Sequence, residues 1–113
     1  MGKHRSRLKI LARILSIASN GNGAKKTQIM YQAYLSYDLL IRYTNDLIQS
    51  KLLVCDEKNF YKLTTLGQEF LSRFDNYDKL CLEFHQKKNH LKKQRLMLED
   101  LCPTSSSKDD IPN

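Results

Sequence analysis

At 113 residues, with 41% apolar and 27% charged content, the chain has room for one small domain and an appended helix. Its net charge of +7 points to polyanions, either duplex nucleic acid or an anionic lipid surface, although the same bases also suit an ordinary solvated exterior. No apolar run approaches the roughly 18 residues of a membrane span, and three cysteines without C-x-x-C spacing argue against a disulfide framework and for a reducing compartment.

The N-terminal "MGKHRS" fits a myristoylation pattern, and "RLKILARILSIAS" has the basic, acid-free character of a transit peptide. The same stretch reads as a first core helix over about residues 5–19. Leu8, Leu11, Ile14, Leu15 and Ala18 fall at helical spacing, Ile10 and Ile17 widen the stripe, and Arg5, Arg7, Lys9 and Arg13 lie mostly outside it. "NGNG" (20–23) then stops the helix, since Gly and Asn tolerate a left-handed backbone. A short second helix over about residues 25–33 turns Ile29, Met30 and Ala33 inward and opens on Lys25 and Lys26. After the turn "YL", a third helix runs over about residues 36–50, with Ser36 as its cap and Asp38 near the positive end of the dipole.

The third helix has two distinct stripes. Leu40, Tyr43, Leu47 and Ile48, with Leu35 before and Leu52 after, form an apolar side. Tyr37, Asp38, Ile41, Arg42 and Asn45 share the other face. That second stripe suits a DNA groove: Arg42 reaches guanine or phosphate, Asn45 pairs with adenine, Ile41 meets a thymine methyl and Tyr37 donates to phosphate. An ordinary solvated helix face has the same pattern. Asp38 fits only by accepting from cytosine or pairing with Arg42.

Leu52–Cys55 and Phe60–Leu63 form two β-prone runs across the polar turn 56–59, which predicts a β-hairpin carrying Lys58 and Lys62 beside Asp56 and Glu57. From Thr64 or Thr65, the latter in capping-box register with Gln68, a long helix extends to Pro103. Phe70, Tyr77, Phe84, Leu91 and Leu98 recur every seventh residue. Their companions Phe74 and Cys81 are apolar, whereas Lys88 and Arg95 are not, before Cys102. This is a coiled-coil seam that loosens along its length, and it calls for a partner, the simplest being a second copy. Acids dominate the first half of the helix, and bases alone occupy Lys87 to Arg95. Antiparallel pairing sets one half against the other, with the two folded domains at opposite ends. The alternatives are that the helix folds back on its own domain, or that its basic half binds DNA directly. The tail 103–113 reads as disordered.

The fold class predicted is mainly α with a small β-hairpin: a winged helix-turn-helix over 1–64, then a dimerisation helix over 65–102. In such a module the third helix lies in the major groove and the hairpin rests on the backbone. "GAKKTQIMYQAYLSYDLLIRYTNDLIQSKLL" followed by "FYKLTTLGQEFL" resembles small archaeal winged-helix DNA-binding proteins. These include dimeric chromatin-type proteins with a C-terminal antiparallel coiled coil and related transcriptional regulators. The resemblance implies duplex DNA as ligand and a homodimer, with Lys25, Lys26, Thr27, Ser36, Tyr37 and Arg42 at or near DNA. The chain departs from the pattern at Tyr34, where Asn or Gly is expected, and at Lys51, where Gly often ends the third helix.

Cys81, His85 and His90 lack a fourth ligand at a suitable spacing, so no metal is expected. Without a catalytic arrangement or a phosphate-loop glycine pattern, neither an enzyme nor a cofactor or small-molecule ligand is expected. The leading expectation is a cytoplasmic, nucleoid-associated, dimeric regulator. A sequence-tolerant chromatin protein is the close alternative, and a basic peripheral-membrane or coiled-coil scaffold protein is the rival from another class.

Overall fold

The structure, a computed structural model, describes residues 6–103. The N-terminal bases Lys3 and Arg5 and most of the tail expected to be disordered lie outside the described residues.

The element order is α1 (Arg7–Ala18), β1 (Ala24–Lys25), α2 (Lys26–Ala33), α3 (Tyr37–Gln49), β2 (Leu53–Cys55), β3 (Phe60–Leu63) and α4 (Thr65–Leu101). Serine hydroxyls start two of the helices by accepting first-turn N–H groups. Ser6 Oγ takes Lys9 N–H at 3.1 Å, and Ser36 Oγ takes Leu39 N–H at 3.2 Å. For α4 the cap is Thr64. Its Oγ1 accepts Gly67 N–H at 3.0 Å and donates to Lys51 O at 2.7 Å, tying the start of α4 to the end of α3.

The core lies where α1, α2 and α3 meet the sheet. Ile14, Leu15, Ile29, Leu40, Leu47 and Leu53 are its largest fully enclosed apolar side chains. Two expected members fall outside it. Leu8, in the first turn of α1, is exposed, and so is Ile48 on α3. Leu40, Thr44 and Leu47 centre the buried stripe of α3, and Ile48 stands a quarter-turn to one side. Thr44 takes the inward place. Its hydroxyl donates to Leu40 O at 2.7 Å and so carries no unpaired polar group into the core.

The hairpin forms as expected, and a third strand joins it. The order is β1-β3-β2, all antiparallel, with Ala24 opposite Tyr61 and Val54 opposite Lys62. A two-residue strand has no periodicity to read, and β1 exists only because β3 is there to pair with it. "NGNG" serves this pairing as well as the helix stop. α1 closes on Ser19 in right-handed geometry, and the left-handed residue is Gly23, φ 84°. A Cβ at Gly23 would come within 2.6 Å of Tyr61 O.

Gly67 is required for a different reason. A Cβ there would run into the carbonyl oxygen of Leu52, so its absence lets α4 pass close under the α3–β2 junction. Phe70 and Leu71 then pack against the core. The compact unit accordingly runs to Asn76, well into α4, and residues from Tyr77 onward form a second unit. No described helix is long and apolar enough to cross a membrane.

Candidate nucleic-acid interface

Burial of Leu40, Thr44 and Leu47 fixes which way α3 faces. Tyr37, Asp38, Arg42 and Asn45 are exposed, Ile41 is half-buried, and Ser36 holds the first turn in place. Among the described residues no ion pair joins Asp38 to Arg42; the carboxylate stands at the N-terminal end of α3, where the helix dipole favours it.

A second group of predicted residues gathers beside it. Lys25, Lys26, Thr27 and Lys58 line one open cleft, together with Asn59 and Tyr61. Lys25 holds the N-cap position of α2 without a side-chain cap bond, so the first-turn N–H groups of α2 keep their capacity for an anion. Aromatic rings hold both lysines. Lys25 Nζ lies 5.3 Å from the Phe60 ring centroid, and Lys26 Nζ lies 5.7 Å from that of Tyr37. The Lys26–Tyr37 contact links the cleft to the outward face of α3.

Lys62 is turned to other work. Its ammonium pairs with Asp56 Oδ2 at 3.3 Å, on a neighbouring cleft that also contains Asn22 and Glu57. Asp56 is the organiser of the hairpin turn. Its Oδ1 accepts Lys58 N–H at 2.9 Å and Phe60 N–H at 3.0 Å, and Asn59 adopts φ 66° to close the turn. The Phe60 N–H bond, more than the Lys58 bond and the Lys62 ammonium, holds the Asp56 carboxyl below its ordinary range, against a smaller opposing effect of burial. The basic N-terminal stretch is partly spent on the fold as well: Arg7 pairs with Asp46 of α3 at 3.0 Å, and Arg13 donates to Gln32 O at 3.3 Å.

Sequence reasoning missed two neighbours of this surface. Tyr31 and Tyr34 are 74% and 82% exposed beside Tyr37, so three phenols stand around the α2–α3 turn. Their spacing of three residues was the available signal. Tyr34 takes the left-handed conformation at φ 55°, ψ 52°, as its place in that turn demands, and Lys51 does the same at φ 65°.

On α4, Phe70 and Phe74 are half-buried, and every residue from Asp75 to Pro103 is exposed. Phe84, Leu91 and Leu98 are 66–70% exposed. Tyr77 and Cys81, one turn apart, are hydrogen-bonded, and chiefly for that reason the phenol's pKa is raised. Among the described residues no three His, Cys, Asp or Glu side chains gather as a metal site would require.

This arrangement can be set beside known proteins. Residues 4–82 match the family model of the winged helix-turn-helix. The chain belongs to that family. α3 is thus the second helix of the helix-turn-helix, and β2–β3 is the wing. Among solved structures, Sso10a-2, a DNA-binding protein from Sulfolobus solfataricus, aligns over 80% of this chain and 96% of its own, with TM-score 0.69 and 18% identity. A protein of unknown function from Listeria innocua covers 81% of this chain and 70% of its own at TM-score 0.59 and 12% identity. The multiple antibiotic-resistance repressor MarR from Listeria monocytogenes covers 85% and 75%, at 0.54 and 16%. At these identities the likeness is one of fold. No curated protein matches the sequence.

Proposed function

We propose that this winged helix binds double-stranded DNA as a homodimer, with α3 in the major groove, and acts as a transcriptional regulator in the nucleoid. The observation that carries the reading is the joined surface of α3 and the lysine cleft. A face able to read bases (Ile41, Arg42, Asn45) continues through the Lys26–Tyr37 contact into a cleft able to hold phosphate (Lys25, Thr27, Lys58). Sso10a-2 is named as a DNA-binding protein and the Listeria MarR protein as a repressor, which supports both halves of the proposal. Dimerisation is supported by the exposed apolar seam of α4 and the opposite charges of its two halves. Its role is binding, with no chemical step.

The abundance of lysine over arginine at the cleft favours a second reading, a sequence-tolerant chromatin protein, because ammonium groups on phosphates carry no sequence information. The test is a gel shift on random duplex across a salt series, followed by selection of preferred sites. Salt-sensitive binding to random duplex is expected, and its absence at low ionic strength would sink the DNA reading. A selected site bound no more tightly than random duplex at the same salt would leave the chromatin reading in place of the regulator.

A further inference from the structure

The seam of α4 has two fixed ends. Toward the N-terminus, the seam position before Phe70 is Gly67, which is buried under the Leu52 carbonyl and cannot receive a partner. Toward the C-terminus the helix ends at Leu101, with Cys102 completing the last turn through its N–H bond to Leu98 O, and Pro103 follows. The seam open to another helix therefore runs from Phe70 to Cys102, and its midpoint is Gln86.

Resting on the dimer reading above, the geometry points to one register: a second copy of α4 lies antiparallel, with the two-fold axis passing beside Gln86. Each seam residue then meets a definite partner. Cys81 meets the partner's Leu91, Phe74 meets the partner's Leu98, and Phe70 meets the partner's Cys102. The two cations that interrupt the seam fall on aromatic rings: Lys88 on the partner's Phe84, and Arg95 on the partner's Tyr77. On the flank, Asp78 stands opposite the partner's Lys92, twice by symmetry.

Neighbouring registers lose these matches. Sliding the chains one heptad toward greater overlap at the winged domains sets Leu98 against the closed position at Gly67. Sliding the other way leaves Phe74 with nothing in the helix opposite it and sets Asp78 against the partner's Glu99. Parallel pairing stacks Lys88 on Lys88 and Arg95 on Arg95. Length, cation placement and flank charge all select the same alignment.

The test uses the full chain with Leu91→Cys in a Cys55→Ser, Cys102→Ser background, under mild oxidation. Within one helix, residues 81 and 91 are about 15 Å apart and cannot bridge. The expected product is a covalent dimer whose bridges map between Cys81 of one chain and position 91 of the other, abolished by adding Cys81→Ser. A bridge that survives Cys81→Ser means parallel pairing and overturns the register. A bridge formed by Phe84→Cys in place of Leu91→Cys means the shifted register and does the same.

A second measurement guards against Leu91→Cys loosening the coil. Asp78→Lys and Lys92→Asp should each weaken the dimer, by up to roughly tenfold, and the double exchange should restore it. A lack of restoration counts against the register. A wild-type chain that sediments as a monomer at tens of micromolar refutes the dimer itself and the register with it, so the two failures are told apart.

Discussion

The winged unit and the far half of α4 are both amphipathic, yet only one of them completes its own burial. In the unit ending at Asn76, α1 has seven buried residues and α3 has three. From Asp75 onward α4 has none, though Phe84, Leu91 and Leu98 repeat at a helical interval as regular as that of α1. Periodicity states that a face must be covered. It does not state by what. In α1 the cover is supplied within the chain by α2, α3 and β3; in α4 it must come from elsewhere.

The largest effect that would break this contrast is a matched pair of truncations. Leu40→Ala removes a fully enclosed side chain and should cost about 2–5 kcal/mol in urea denaturation of the winged unit. Leu91→Ala, on a residue 70% exposed in the single chain, should leave that transition in place and instead shift the monomer–dimer balance toward monomer. Equal losses from the two variants in the winged-unit transition would show that α4 is covered by its own domain.

A smaller effect separates packing from recognition within one helix. Arg42 is exposed on the face opposite Leu40, so Arg42→Ala should keep the fold while weakening DNA binding by about 1–3 kcal/mol. Far-UV circular dichroism and a gel shift check the two halves of that statement. Unchanged affinity would mean that α3 is not the reading element.

How much of this could be read from the sequence follows the same division. Helices, the hairpin and the Ser36 cap were legible, because each is specified by residues close together in the chain. β1 was not, because it depends on β3 some 36 residues later. Lys62 was read as a free wing base, yet it pairs with Asp56, and Asp56 was read as a stray acid, yet it builds the turn. The turn "DEKN", with Asp first and Asn last, contained the signal for that role. The gathering of Lys25, Lys26 and Lys58 around one cleft needs the β1–β3 pairing, and was beyond reach for the same reason that β1 was.

Tyr34 tests whether strain in the winged unit is kept for recognition. A left-handed tyrosine costs about 1–2 kcal/mol against glycine. Tyr34→Gly should therefore raise the unfolding midpoint. If the exposed phenol touches the DNA backbone, the same variant should bind duplex more weakly. Higher stability with unchanged binding would assign the residue no part in the interface.

The smallest effect expected is at the wing, and pH exposes it. Asp56 has its pKa lowered in the folded chain, mainly by the N–H of Phe60, so its ionised form is the one the turn favours. That contribution is fully present above the ordinary aspartate value of about 3.9 and is lost as pH falls through the lower folded value. Amide exchange at Lys58 and Phe60 should thus be protected at neutral pH and accelerate only in strong acid, while exchange at Leu47 in α3 holds on longer. Asp56→Asn keeps an acceptor for both amides but loses the charge that faces Lys62. It should flatten the acid dependence of the wing and free the Lys62 ammonium. If the wing rests on phosphate, DNA binding by this variant should become slightly stronger and more salt-dependent. Wing protection that is equally sensitive to acid in Asp56→Asn would show that another group organises the turn.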